Sequence, residues 1–433
     1  MSALPIESLF PDLHPPLAPQ AAVLEAHRCL NCFDAPCTAA CPTHIDVPGF
    51  IKKIANGNLR GSALRILDAN VLGLSCSKAC PVDVLCEGSC VLHARGELPI
   101  AIGALQRHAM EHFYNNGAKV PWMPTHELPV KVACIGGGPA SLACAAELRR
   151  AGIAVTIFER KPRAGGLNTH GVAEYKLRVR ESLREVEFVR SLGAEFVTNC
   201  TIGEVMSLAS LERDFDVIFA GAGLGDGFPL ELPGDSGPNT IDALQFIEAY
   251  KSGTPIPTGA HVAVIGGGNT AIDAACAAHR LGASTVTLVY RRSESEMPAF
   301  AFEIEHARSE GVRMEFLAAP TARRPEGIEC QRMRLLSASQ SGRRQVEPEP
   351  GATFVLPCDS VIAAVGQSKL GSLLEAANVE LRDGVVVIDP ATGRTSNPKY
   401  FAGGDCANGG SEVVDAVAQG KRAALAIREM LHG

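Results

Sequence analysis

The feature that most limits what this chain can become is a segment written almost twice. KVACIGGGPASLACAAELRRAGIAVTIFER begins at Lys131, and HVAVIGGGNTAIDAACAAHRLGASTVTLVYRR begins at His261, so that Gly136 falls on Gly266 at an offset of 130 residues. Each copy reads as an apolar strand, a glycine-rich turn, a helix of about four turns and a second β-branched strand. One such βαβ unit offers one helix N-terminus, with its partial positive charge, to one pyrophosphate. Two copies predict two dinucleotide-binding domains on parallel sheets.

Composition agrees with a folded, multidomain chain. The 433 residues are 46% apolar, enough for about two to four domains with sizeable cores. A charged fraction of 20% and a net charge of −7 exclude the basic footprint of a nucleic-acid binder and the polar bias of a disordered chain. The first residues, MSALPIESLFPDLHPPLAPQ, lack a basic start and a continuous apolar stretch, and no window reaches 18 uninterrupted apolar residues. A cytoplasmic chain with no membrane span is the expectation. Its reducing surroundings make a disulfide framework of the 15 cysteines improbable. Up to about residue 125 the pattern is of short helices, such as Pro48 to Ala55 and Ile102 to Tyr114; after the linker PWMPTHELP it switches to alternating strands and helices.

In the first copy the strand Val130 to Ile135 leads straight into Gly136, Gly138 and Ser141, with Pro139, Ala140 and Ser141 opening a helix that runs to Arg150. Gly136 permits the tight turn, and Gly138 lets the backbone approach a pyrophosphate with no Cβ in the way. Ser141 stands where Gly or Ala is usual, and its hydroxyl is small enough to let helix and strand pack. Glu159 ends the second strand, 21 residues after Gly138, where a carboxylate pairs with the hydroxyls of a ribose lacking a 2′-phosphate. FAD and NAD both fit. In the second copy Gly266, Gly268 and Ala271 complete the fingerprint, and Asn269, Thr270 and Ala271 open the helix. Tyr290 occupies the position of Glu159, followed by Arg291 and Arg292. Cationic forks suit a 2′-phosphate that a carboxylate would repel, so NADPH is expected here, with NADH the alternative.

Eight of the cysteines crowd between Cys29 and Cys90 as Cys29-x2-Cys32-x4-Cys37-x3-Cys41-Pro and Cys76-x3-Cys80-Pro-x4-Cys86-x3-Cys90. Structural zinc favours two separated C-x2-C knuckles, and neither run has that shape. A compact run ending in Cys-Pro resembles iron-sulfur ligation, in which the last cysteine can serve the other cluster. Two 4Fe-4S clusters are expected; a zinc-and-nucleotide module without turnover is the alternative. No C-x-x-C occurs in the α/β region, so a dithiol relay has no support there.

The stretch TSNPKYFAGGDCANGG, with the helical pattern from Glu412 to Leu431 behind it, resembles the second FAD fingerprint of the glutathione-reductase-like flavoproteins. The resemblance implies two Rossmann-like domains preceded by an α-helical iron-sulfur domain. It implies that Gly404 and Asp405 meet the ribityl chain, that the backbone of Ser411, Glu412 and Val413 faces the flavin pyrimidine ring, and that Gly166 and Leu167 form a flavin-facing turn. Residues 1–125 would hold the clusters, residues 126–240 and 359–433 FAD, and residues 241–358 NAD(P)H. The loop from Gly171 to Arg178 departs from that family's pattern by lacking both of its prolines.

Taken whole, through CLNCFDAPCTAACP, LGLSCSKACPVDVLCEGSC, GGGPAS, GGGNTAID, YRRSESEMPA and FAGGD, the sequence resembles the electron-input half of dihydropyrimidine dehydrogenase and the small subunit of NADPH-dependent glutamate synthase. Carried over, the resemblance assigns one cluster to Cys29, Cys32, Cys37 and Cys90. The other falls to Cys41, Cys80, Cys86 and Gln106, with Cys76 as an extra thiol packed nearby. Gln106 separates the two readings, since the glutamate synthase small subunits carry Glu at that place. The resemblance further implies an NAD(P)H-oxidising flavoprotein subunit with no catalytic side chain, hydride transfer resting on cofactor positioning. Its electrons would pass to a PreA-type FMN and iron-sulfur partner that reduces uracil or thymine, in a heterotetramer, or to the glutamate synthase large subunit in the alternative.

Overall fold

The computed structural model describes residues 6–122, 127–234, 236–256, 258–336 and 344–432. These fall into two compact units, one of Leu13–Thr169, Lys176–Leu224 and Lys369–Gly433, the other of Met1–Asp12, His170–Tyr175 and Gly225–Ser368.

The first unit joins a helical layer to a parallel sheet. Its helices include Pro19–His27, Val47–Ala55, Leu59–Ala69, Gly73–Ala79 and Ile102–Asn115. Asp46 and Asn58 cap two of them by accepting from Gly49 N at 3.0 Å and Gly61 N at 2.8 Å, which satisfies amides that no helical carbonyl can reach. The apolar stripes converge on Phe50, Ile51, Ile54, Ile66, Leu74 and Met110, none of them exposed. The sheet has the order Tyr400–Ala402, Val217–Ala220, Leu128–Ile135, Ile153–Phe158, Glu195–Val197, every pairing parallel. Val217–Ala220 and the second half of Leu128–Ile135 are buried on both faces, as continuous apolar runs in a parallel sheet demand. Pro139–Arg150 packs against Val413–His432. Gly420 makes that crossing close: a Cβ there would lie 2.0 Å from Ala140 O.

The second unit repeats the plan with the strand order Asn239–Asp242, Ser360–Ala363, His261–Ile265, Thr285–Tyr290, Arg313–Phe316, again all parallel. Three features differ from the sequence expectation. Asn239–Asp242 and Ser360–Ala363 pair with each other in this sheet, so Ser360–Ala363 and the first two residues of Asn239–Asp242, which the boundaries at 240 and 359 put with FAD binding, belong to the other domain's sheet. Ala318–Arg324, Gly327–Leu335 and Val346–Pro357 form an antiparallel sheet, whose strand Val346–Pro357 is largely solvent-facing and carries little apolar signal. The segment His170–Tyr175, expected with the flavin domain, also belongs here. Tyr175 Oη donates to Asp273 Oδ1 at 3.0 Å, Ala173 N to Asp273 Oδ2 at 3.2 Å and Lys251 Nζ to Val172 O at 2.6 Å.

Within the first unit, the helix Val179–Ser191 holds the cysteine-rich segment through two carboxylates one turn apart. Glu185 accepts from Leu74 N at 2.9 Å and Ser75 N at 3.1 Å, and Ser75 Oγ also donates to it. It thereby caps the short helix Gly73–Ala79, which has no side-chain cap of its own. Glu181 takes Lys78 Nζ at 2.7 and 2.8 Å, and both side chains are buried. Burial lifts the Glu185 carboxyl to about 8, against the opposing pull of the Ser75 and Leu74 donors. The folded chain therefore holds this proton up to about pH 8, whereas the unfolded chain releases it near 4.5. The resulting stability is complete below pH 4.5 and is lost as pH rises through 8. Between those limits the wild-type chain should lose stability relative to Glu185→Gln, at no more than about 1.4 kcal/mol per pH unit. Urea midpoints of the two cofactor-loaded proteins, measured from pH 4.5 to 8, check this; parallel curves would show that the carboxyl is already ionised throughout.

Candidate functional site

The first nucleotide turn is fixed by close backbone contact. Gly136 has φ +89°, and a Cβ on it would meet Gly221 O at 2.7 Å. A Cβ on Gly138 would meet nothing nearer than Gly166 Cα at 3.8 Å. Since the protein's own packing leaves that space free, the glycine suits a phosphate drawn up to the amides at the start of Pro139–Arg150. Pro139 occupies the first helical position, where its missing N–H costs nothing. Ser141 is fully buried and its hydroxyl has no hydrogen-bond partner. It fits because residue 221 is glycine, whose hypothetical Cβ would lie 2.2 Å from Ser141 Oγ. Glu159, expected at a ribose, accepts from Gly137 N at 2.7 Å and Lys161 N at 2.8 Å, so it also holds the glycine turn in shape.

Of the residues expected to face the flavin, Gly404, Asp405, Ser411 and Glu412 are tied to the first turns of Val413–His432 or to one another. Gly404 N donates to Gln419 Oε1 at 2.6 Å, and Asp405 Oδ1 accepts from Ser411 N at 3.3 Å. Glu412 N donates to Asp415 Oδ2 at 3.2 Å, and Ser411 Oγ to the same atom at 2.6 Å. Two of the three amides expected to face the pyrimidine ring are thus spent on carboxylates, and Asp415 is a residue that sequence reasoning missed. Burial raises the Asp405 carboxyl above its usual range, as it does Glu412; the nearby charge of Asp415 pushes both the same way. Gly166 backs onto the glycine turn, a Cβ on it falling 2.8 Å from Gly138 Cα. Leu167 begins the short helix Leu167–His170 and is partly exposed.

In the second unit, a cavity of about 610 Å³ is lined by Gly266, Gly268, Thr270 and Ala271, by Tyr290, Arg291 and Arg292, and by Gly366 and Gln367. Gly266, at φ +149°, could not carry a Cβ, which would lie 2.4 Å from Ala364 O. Gly268 again is free of protein neighbours, with Pro298 Cγ at 3.9 Å. Asn269 does not line the cavity; its Oδ1 accepts from Phe300 N at 3.1 Å. Where Glu159 holds the first turn by hydrogen bonding, Tyr290 packs its ring against Gly267 and donates its hydroxyl to Glu296 O at 2.8 Å. Arg291 and Arg292 line the cavity beside Tyr290, as does one carboxylate, Asp242, and Arg292 Nε donates to Arg344 O at 3.0 Å. Replacing Arg291 and Arg292 together by Gln should raise the KM for NADPH at least ~10-fold, since charged hydrogen bonds contribute roughly 1.5 to 3 kcal/mol each. The KM for NADH should move far less. Steady-state kinetics with both nucleotides measure the ratio; equal losses would mean that these arginines do not read the phosphate.

The clustered cysteines border two further and far tighter cavities, of about 20 and 30 Å³. Cys29, Cys32, Cys37 and Cys90 border the first, with Ile51 and Ile100 behind them. Cys41, Cys80, Cys86 and Gln106 border the second, together with Cys76, Asn70 and Val414. All eight cysteines are free thiols. Burial raises the thiol of Cys37 to about 11 and raises that of Cys86 further, while Cys80 is pushed up first by its hydrogen bond with Cys76 and then by burial. Such thiols ionise only against a compensating cation, so loading iron here releases protons. Among the described residues no group of three or more Cys, His, Asp or Glu is gathered tightly enough for one metal ion. Gln106 Nε2 donates to Gly73 O at 2.7 Å, which leaves Oε1 as its remaining donor atom. Two residues that the sequence reading passed over complete the picture. Asp273 is a buried acid on a helix of small apolar residues, and Glu185 is a buried acid on a helix of charges; an ionisable group on an otherwise apolar helix face was the available signal for the first, and nothing in the local pattern marked the second.

Comparison with known proteins agrees with this geometry. Residues 6–118 match the family described as dihydropyrimidine dehydrogenase domain II, 4Fe-4S cluster, and residues 130–420 match the pyridine nucleotide-disulphide oxidoreductases. The glutamate synthase [NADPH] small chain of Halomonas elongata is 34% identical over 446 residues, covering 98% of this chain and 93% of that protein. The NADP(+)-dependent formate dehydrogenase subunit beta of Moorella thermoacetica is 37% identical over 428 residues, covering 92% of this chain, which spans 60% of that protein's length. Among solved structures, Mycobacterium tuberculosis FprA in complex with NADPH has a TM-score of 0.58 at 21% identity, over 71% of this chain and 86% of that one, a likeness of fold. Among the described residues no helix is long and apolar enough to cross a membrane. The residues lining the sites fit FAD, NADPH and iron-sulfur as cofactors. This chain belongs to the pyridine nucleotide-disulphide oxidoreductase family and carries at its N-terminus a 4Fe-4S domain of the dihydropyrimidine dehydrogenase kind.

Proposed function

We propose that the chain is an electron-input subunit: it oxidises NADPH and passes single electrons, through two 4Fe-4S clusters, to a partner that carries out the reduction. The supporting observation is the division of the cysteines and Gln106 between two cavities, one of which is also bordered by Val414 at the N-terminus of the helix Val413–His432. Flavin accepts a hydride and can release its electrons one at a time, which is the chemical reason for pairing it with iron-sulfur. This chain's residues bind and orient: Gly136 and Gly138 with Glu159 at FAD, Asp405 and the Ser411 to Val413 backbone at the ring, Arg291 and Arg292 at the NADPH phosphate. The first cluster would take Cys29, Cys32, Cys37 and Cys90, and the second Cys41, Cys80, Cys86 and Gln106.

For the final acceptor, the glutamate synthase small chains are the relatives that this chain spans almost end to end, which favours a large subunit that consumes 2-oxoglutarate and glutamine. A second reading, a PreA-type partner reducing uracil or thymine, is favoured by Gln106, an amide where the glutamate synthase small subunits carry a carboxylate. Relatives with formate dehydrogenase and NADPH-Fe(3+) oxidoreductase names reach similar identity, as expected if the input module is common and the partner decides the substrate. The purified chain should contain about eight irons, about eight sulfides and one FAD, two four-iron clusters setting the count. Zinc without inorganic sulfide would overturn the whole reading. NADPH consumption with each partner then separates the acceptors: turnover driven by 2-oxoglutarate plus glutamine supports the first, and turnover driven by uracil supports the second.

A further inference from the structure

The second cysteine cavity holds one donor more than a cluster requires. A four-iron cluster takes four protein ligands, and this cavity is bordered by Cys41, Cys76, Cys80, Cys86 and Gln106. Cys76 lies on Gly73–Ala79 one turn before Cys80, a spacing that puts both side chains on one face. Its thiol is 3% exposed, so solvent is not its partner. Asn70, itself buried, has its amide oriented by accepting from Leu72 N at 2.9 Å and donates Nδ2 to Cys76 Sγ at 3.2 Å. The sulfur is therefore held at the cavity wall by a fixed donor. Gln106 is tied to the same short helix through its bond to Gly73 O, and offers only a neutral oxygen. Iron-sulfur sites favour thiolate over amide oxygen.

We propose that Cys76 is a reserve ligand of the second cluster, able to replace Gln106. The proposal rests on the two-cluster reading. In the exchange the iron bond to Gln106 Oε1 breaks, an iron bond to Cys76 Sγ forms, and the thiol proton leaves to water; no electron changes hands. The cluster gains one negative charge, and its reduction potential falls.

The test uses the full cofactor-loaded chain, with iron, sulfide and FAD content and an EPR-monitored reductive titration of wild type, Gln106→Ala, Cys76→Ala and the double variant. The single variants should each keep about eight irons, the complement of two clusters. Cys76→Ala should keep the wild-type potentials, whereas Gln106→Ala should shift one cluster to a lower potential. The double variant should lose half the iron while retaining FAD, which shows that it has folded. Loss of half the iron in Gln106→Ala alone, an unshifted potential in that variant, or a double variant that keeps all its iron would each overturn the reserve role while leaving two clusters standing. A wild-type chain with fewer irons removes the two-cluster reading and this proposal with it.

Discussion

At two points 130 residues apart, the backbone turns so tightly that no β-carbon fits. Gly136 presses on Gly221 O, and Gly266 on Ala364 O. Each contact lies where a strand passes into a helix over a parallel sheet, and each fixes the direction in which the helix N-terminus points. The open faces of Gly138 and Gly268, which protein atoms leave empty, follow from those turns. Both nucleotide sites are therefore consequences of packing one strand's end against the backbone of its neighbour.

The two copies keep the turn and change the chemistry beside it. Glu159 braces the first with hydrogen bonds to Gly137 and Lys161; Tyr290 braces the second by ring contact with Gly267. Because the aromatic ring does the bracing, the second site loses a carboxylate without losing its shape, and Arg291 and Arg292 can face an additional phosphate. One substitution thus separates nucleotide preference from turn geometry.

Buried acids do the joining. Glu181 and Glu185, one helical turn apart, hold the cysteine-bearing helix Gly73–Ala79 by an ion pair and by a cap. Breaking either leaves a buried charge or orphan amides, each costing several times what the intact contact contributes. A redox protein gains from such rigidity, since a cluster site must keep its distance to the flavin site through many turnovers. Asp273 does comparable work in the other unit, where it binds the segment His170–Tyr175.

Duplication, glycine spacing and the two cysteine runs were legible in the order of residues, because each depends on local geometry: a turn, a helix start, a short run of thiols. The antiparallel sheet from Ala318 to Pro357 was not, since its strand Val346–Pro357 is largely solvent-facing and lacks a strong apolar alternation. Nor was the exchange of Asn239–Asp242 and Ser360–Ala363 into the second sheet, a pairing across more than a hundred residues that local pattern cannot express. The grouping of Cys29, Cys32, Cys37 and Cys90 around one cavity and of Cys76 with Gln106 around the other was legible only through the family resemblance, because it depends on how helices distant in sequence pack. By itself the sequence determined which chemistries are present; tertiary structure alone decided which side chains share a wall, because burial and long-range pairing are properties of the packed chain.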